Sequence, residues 1–295
     1  MNSKTLIVGM GFGNAVYVPV YKKLNFEIVT VDLGKDADYR TVADALKDHK
    51  RFATVHICTP NFTHEEIARE VAPFASIVFV EKPGVKDSAA WENLVNDFKD
   101  TRIVMVKNNQ YRTRIDTFND LALKSDQIDI HWLNKHRVPN PGGWFTNKDL
   151  SYGGVSRDLM PHMLSYITKL TDYKNFKLSA VSARQNYDLT TVGITDYGTI
   201  DPKGIYNVDD FCSIHGSVNN IQWNLVSSWK TGKEDNSSIT FTLNTGEIHT
   251  FELGLCPELA YENMAVTALT LVDYDMFWNE QFTQDLWIHK QLENL

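Results

Sequence analysis

Over the first third of the chain, short apolar runs alternate with amphipathic stretches. Thr5 to Gly9, Glu27 to Asp32, Thr54 to Thr59, Ile77 to Glu81 and Ile103 to Val106 are near-continuous and rich in Val and Ile, the pattern of strands buried on both faces. Helical patterns separate them. Thr63-His64-Glu65-Glu66 reads as a capping box ahead of Ile67, Val71 and Phe74, and a second helix is expected from about Asp87 to Phe98, with Trp91, Leu94, Val95 and Phe98 on one side. Alternating strands and helices predict βαβ units with right-handed crossovers and a parallel sheet.

From about Ile128 the period changes to two. Ile221, Trp223, Leu225 and Trp229 fall on one face of a strand, and Ile239, Phe241 and Leu243 repeat the alternation after Thr231-Gly232-Lys233. Ile248 to Leu253 follows the turn Asn244-Thr245-Gly246. The reading is an antiparallel meander covered by helices near Met160 to Leu170 and near the carboxyl terminus. The expected fold class is α/β, with an amino-terminal Rossmann domain over residues 1–115 and an α+β domain over 116–295 built on an open, mainly antiparallel sheet. The boundary falls near Thr113 to Phe118.

Composition narrows the function classes. With 43% hydrophobic and 22% charged residues the chain is an ordinary globular protein, neither disordered nor fibrous. Its net charge is -8, from 29 Lys plus Arg against 37 Asp plus Glu, so nucleic acid is not an expected partner. Cys58, Cys212 and Cys256 lie far apart without metal-ligand spacing, so neither a disulfide framework nor a bound metal is expected. The apolar runs are too short to span a bilayer and the amino terminus does not read as a signal peptide, so the expected setting is cytoplasmic, without a membrane partner.

An acidic protein can still hold an anion on backbone amides at a helix start. Gly9-Met10-Gly11-Phe12-Gly13-Asn14 follows the first strand and opens a helix; Gly9 permits a tight turn and Gly11 a close approach to a pyrophosphate, while Asn14 occupies the third glycine position. Asp32, 21 residues after Gly11, ends the second strand, where a carboxylate binds a ribose and repels a 2′-phosphate. NAD is therefore favoured over NADP, although Lys35 and Arg40 lie nearby to offset the repulsion.

Thr59-Pro60-Asn61 and Glu81-Lys82-Pro83 end the third and fourth strands, at the carboxyl edge where open α/β sheets bind ligands. Lys82 reads either as a held functional amine or as a loop lysine, and Pro83 as a candidate cis bond. In Gly153-Gly154-Val155-Ser156-Arg157-Asp158-Leu159-Met160-Pro161-His162, Asp158 and His162 are four apart and share a face if helical. Asp158 is alternatively a helix cap, and His162 a packed core histidine. Asn109, Tyr111, Arg112 and Trp144 are polar or aromatic candidates for a ligand wall, or are surface and packing residues.

The order and spacing of these segments resemble the Gfo/Idh/MocA oxidoreductases. The resemblance spans nearly the whole chain: the glycine turn followed by Tyr17-Val18-Pro19-Val20, Thr59-Pro60-Asn61 with His64, Glu81-Lys82-Pro83, and Gly153, Gly154, Asp158 and His162. It implies that Gly9, Gly11, Phe12, Gly13, Asn14, Asp32, Thr59, Pro60, Asn61, His64, Glu81 and Lys82 hold NAD, with NADP as the second option. Lys82, Asp158 and His162 would form the catalytic set, and these three with Asn109, Tyr111, Arg112 and Trp144 would bind substrate. The implied activity is hydride transfer between nicotinamide and a secondary alcohol or ketone of a sugar, sugar derivative or cyclitol, in a homo-oligomer built through the second domain's sheet. Two alternatives share the fold, an NAD-dependent glycoside hydrolase and a non-catalytic dinucleotide-binding regulator. Tyr17 departs from the histidine common there, and Ser165 from an aspartate.

Overall fold

The first strand, β1 (Lys4–Val8), is buried over Thr5 to Val8, and its neighbours are nearly as apolar. With α1 (Phe12–Lys23), β2 (Glu27–Val31), α2 (Val42–Asp48), β3 (Phe52–Ile57), α3 (His64–Val71), β4 (Ala75–Val80), α4 (Ser88–Asp97) and β5 (Arg102–Met105) it forms a parallel sheet of order β2-β1-β3-β4-β5. All five strands fall where the apolar runs place them, and α4 is capped by Asp87, whose side chain accepts from Ala90 N at 2.8 Å. The capping box at α3 does not form. Thr63 turns its hydroxyl back to Pro60 O and Thr59 Oγ1, both at 2.7 Å, because a short 3-10 turn over Asn61–Thr63 precedes the helix.

The structure is a computed structural model that describes residues 3–254 and 258–295; Cys256 lies outside the described residues. The chain divides into two compact units, one of Met1–Tyr111 with Glu258–Lys290 and one of Arg112–Pro257 with Gln291–Leu295.

The second unit holds α5 (Ile115–Ala122), β6 (Ser125–Leu133), α6 (Lys148–Ser151), α7 (Val155–Asp158), α8 (Met160–Leu170), β7 (Phe176–Arg184), β8 (Phe211–Val218), β9 (Ile221–Ser228), β10 (Asn236–Leu243) and β11 (Ile248–Glu252). Its sheet has the order β11-β10-β6-β9-β8-β7. One face is apolar as the period-two pattern requires, with Ile128, Ile130, Trp223, Leu225, Ile239 and Phe241 fully buried. A simple meander is not what forms. β6 lies between β9 and β10 and pairs with β9 in parallel, so Thr231-Gly232-Lys233 does not close a hairpin, whereas Asn244-Thr245-Gly246 does between β10 and β11.

The remaining helices, α9 (Glu258–Thr270) and α10 (Asp275–Leu292), correct the expected domain 116–295. They pack on the parallel sheet of the first unit, where Tyr261, Met264, Ala265, Ala268 and Trp278 share a core with Ile7, Tyr17, Phe79 and Val104. Among the described residues no helix is long and apolar enough to cross a membrane, and no group of His, Cys, Asp or Glu could hold a metal ion.

Candidate functional site

In the first unit the glycine turn sits at the carboxyl end of β1, beside β3, where the strand order reverses. Gly9 has φ +96°, and a Cβ there would lie 2.7 Å from the Cys58 backbone, so turn and strand end can meet only with glycine. Gly11 caps α1 and is exposed, and a Cβ on it would meet only the flexible end of Lys35, whose ammonium would be 3.3 Å away. Helix amides and a lysine beside an uncovered glycine suit a bound pyrophosphate. Phe12 and Asn14 are exposed at the first turn of α1. The third glycine's packing function passes to buried Gly13, because a Cβ there would fall 2.6 Å from Ile7 Cγ2.

Asp32 is partly exposed just after β2, and its carboxylate accepts from Met10 N at 2.7 Å, Gly34 N at 2.8 Å and Lys35 N at 2.7 Å. Burial opposes ionisation, but the backbone donors at Lys35, Met10 and Gly34 outweigh it and hold the carboxyl below its ordinary range. The acid thus links the glycine turn to the loop after β2. These features fit a dinucleotide: uncovered glycine and helix amides for the phosphates, and a fixed anion for the ribose.

Thr59, Pro60 and Asn61 stand at the carboxyl edge, with Asn61 buried and the other two half-buried. His64 is fully buried, with Nδ1 facing Gly84 O at 2.7 Å and Nε2 facing Thr59 O at 2.8 Å, so it joins two loops instead of reaching an open cofactor surface. Glu81 is likewise interior. Its Oε1 accepts from the Tyr17 hydroxyl at 2.8 Å, and burial pushes its carboxyl pKa up against the pull of Tyr17 and Lys82. Tyr17, in place of the common histidine, thereby braces the residue before Lys82. The Lys82-Pro83 bond is cis and Lys82 is half-buried.

Asn109 and Tyr111 do not form an open wall. Asn109 is 1% exposed, and Tyr111 lines a small cavity with Lys107, Met264, Trp278 and Gln281 in the interior of the first unit.

In the second unit Asp158 and His162 do not lie on one helix. Asp158 ends the short α7 and His162 lies in the first turn of α8, with Leu159 between the two and Pro161 at the helix start. Asp158 is not a side-chain cap; its Oδ2 accepts from Trp229 Nε1 at 2.8 Å. Asp209 secures α7 from below by accepting from Gly154 N at 2.9 Å, Ser156 N at 2.7 Å and Ser156 Oγ at 2.8 Å. His162 stacks on Trp132, centroids 5.6 Å apart at 27°. Most of α8 is buried, and His162 is half-buried while Met163, Leu164, Tyr166 and Ile167 are inside. Ser165 donates to His162 O at 2.7 Å, a contact within the helix. Trp144 is half-buried and stacked on Phe145, and Arg112 donates to Gly254 O at 3.1 Å.

Trp229, Trp132 and Asp209 are what reading the sequence missed. Alternation placed Trp229 on an inward face, but nothing local tied its indole to a carboxylate 71 residues away.

Residues 4–108 match the model of an oxidoreductase family with an NAD-binding Rossmann fold. That model is of the Gfo/Idh/MocA oxidoreductases, and the likeness in sequence to it is confined to this amino-terminal segment. A protein of Amycolatopsis mediterranei (strain S699), provisionally named UDP-kanosamine synthase oxidoreductase subunit, is 24% identical over 186 residues, covering 58% of this chain. The match spans about half, 52%, of that relative's length. Among solved structures, GenD2 from gentamicin A biosynthesis in complex with NAD has a TM-score of 0.74 at 16% identity, covering 98% of this chain and 92% of that one. Levoglucosan dehydrogenase with NADH and levoglucosan has a TM-score of 0.75 at 14% identity, covering 98% and 95%. A myo-inositol dehydrogenase from Corynebacterium glutamicum ATCC 13032 has a TM-score of 0.74 at 12% identity, covering 99% and 95%. At these identities the likeness is one of fold.

Proposed function

We propose that the protein is an NAD-dependent dehydrogenase or reductase acting on a CH–OH group, or its ketone, in a sugar, sugar derivative or cyclitol. The observation that carries the reading is Lys82, half-buried at the carboxyl end of a Rossmann strand on a turn secured by Glu81, Tyr17 and His64. A lysine so held is preorganised to donate a hydrogen bond to an oxygen on which charge develops. When bound, NAD supplies the acceptor or donor of the hydrogen at the reacting carbon. His162 takes or returns the hydroxyl proton, since an imidazole can act as both base and acid through its ring nitrogens. The Trp132 stack fixes its ring plane. Asp158, its carboxylate turned by the Trp229 indole, orients a substrate hydroxyl.

NAD over NADP follows from Asp32, and the Asp32→Ala variant is expected to bind NAD more weakly and to discriminate less against NADP. Nucleotide titration followed by tryptophan fluorescence measures both. The substrate class is supported by neighbours named as dehydrogenases of levoglucosan and myo-inositol and by a sequence relative with a nucleotide-sugar name. The test is to screen hexoses, aminosugars, uronates, nucleotide sugars and inositols for NADH formation. On the substrate found, Lys82→Ala and His162→Ala should each lose about 10²- to 10⁴-fold in kcat with NAD affinity retained. Full turnover in either variant removes that residue from the mechanism, and loss of NAD binding in both makes them cofactor supports.

A further inference from the structure

The turn that carries Lys82 is held from the carboxy-terminal helix as well as from its own sheet. His289, in the last part of α10, is fully buried and stacks on Trp91 of α4 with centroids 5.1 Å apart at 22°. Its Nδ1 lies 2.7 Å from Asp285 O, an acceptor only, so that nitrogen carries the proton. Nε2 is thereby left as the acceptor and receives the Val85 N–H at 3.4 Å. The approach needs a bare α-carbon at Gly84, where φ is +83° and a Cβ would stand 2.6 Å from His289 Nε2. Gly84 O meets His64 at 2.7 Å, so the two histidines grip the two ends of one peptide group, the amide between Gly84 and Val85. α10 is itself pinned to the end of β5: Asp285 pairs with buried Lys107 and accepts from Met105 N at 3.0 Å.

We propose that His289 is a positioning residue for Lys82. It fixes the backbone two and three residues beyond Lys82, and through that the line along which the amine leaves the sheet. Its influence passes through geometry alone. This inference rests on Lys82 being the group that binds the reacting oxygen, for which misplacement by about 1 Å costs on the order of 10² in rate.

The test compares two amides at this position. Glutamine can place Oε1 where Nε2 accepts from Val85, whereas asparagine keeps a donor near Asp285 O and is too short to reach the turn. His289→Asn is expected to lower kcat by about 10- to 100-fold with KM and NAD affinity little changed, and His289→Gln to restore most of it. In a Lys82→Ala background His289→Asn should cost nothing further, because two residues acting through one contact are not additive. Reductive methylation of Lys82, followed by mass spectrometry with exposed Lys99 as reference, reads the amine's placement without any turnover. Its rate should change in His289→Asn and return in His289→Gln. Equal effects of the two variants on methylation and kcat, whether both absent or both large, overturn the proposal. If Lys82→Ala keeps full turnover, the assigned function of Lys82 fails instead, and the methylation rates still decide whether His289 places it.

Discussion

At Gly13 the contact between α1 and β1 is set by a single hydrogen atom. Because a Cβ there would stand 2.6 Å from Ile7 Cγ2, Gly13→Ala is expected to cost about 1–3 kcal/mol through overpacking, measured by urea unfolding. Asn14→Ala, at an exposed site, should leave the midpoint nearly unchanged. An unaltered midpoint in Gly13→Ala means that Ile7 gives way. Asp32 adds a pH signature. Its folded carboxyl lies below the ordinary range, so its stabilisation is complete above the unfolded value of about 4 and is lost as pH falls through the folded value. The stability gap between the natural chain and Asp32→Asn should therefore narrow in acid; a gap that widens there means the backbone donors do not stabilise the charge. Asp32 was legible in the sequence because strand, glycine turn and acid follow one another locally. That Gly13 takes over the packing of the third glycine, whose place Asn14 holds, was not, since helix–strand spacing decides it and Gly13 lies one residue early. Trp229 and Asp158 meet only through the sheet.

Between elements, the attachment of α10 combines the apolar packing of Trp278 with a buried charge pair. Lys107 and Asp285 are both buried; burial pushes the carboxyl up to about 6, with Lys107 and Met105 N pulling against it. Lys107→Met leaves the carboxylate unpaired and should destabilise the protein by about 3–5 kcal/mol, while Lys107→Met combined with Asp285→Leu recovers part of the loss. Without the ammonium the folded carboxyl pKa rises further, so the single variant's deficit should grow as pH rises above the natural chain's folded value of about 6, below which the carboxyl is protonated in both folded proteins. A deficit independent of pH would place the cost in packing. The same pair explains why α10 was assigned to the wrong domain. Its buried side carries Gln281, Gln284, Asp285 and His289, which a hydrophobic pattern turns toward solvent. Strand order in the second sheet was hidden for another reason: alternation gives each strand its inward face, but parallel pairing of β6 with β9 is a long-range choice that no turn residue encodes.

For the whole molecule, the chain leaves the Rossmann unit after Tyr111 and returns to it at Glu258, so the NAD-binding domain is not the amino-terminal segment alone. The family match ends at residue 108, short of the helices that close the core. A fragment of residues 1–111 would lack Tyr261, Met264, Ala265, Ala268 and Trp278, leaving Tyr17, Phe79 and Val104 uncovered. It is expected to remain unfolded by circular dichroism and to bind no NAD. The severed ends lie close, because Asn263 Nδ2 donates to Tyr111 O at 3.0 Å, so a short Gly/Ser linker can join 1–111 to 258–290. That joined chain should fold and be stabilised by NAD. Ligand at 100 times its dissociation constant adds about 2.7 kcal/mol, with a smaller shift for NADP at the same concentration. Folding and NAD binding by 1–111 alone would show the returning helices to be dispensable, and a folded joined chain without NAD binding would show that the dinucleotide requires residues of the second unit.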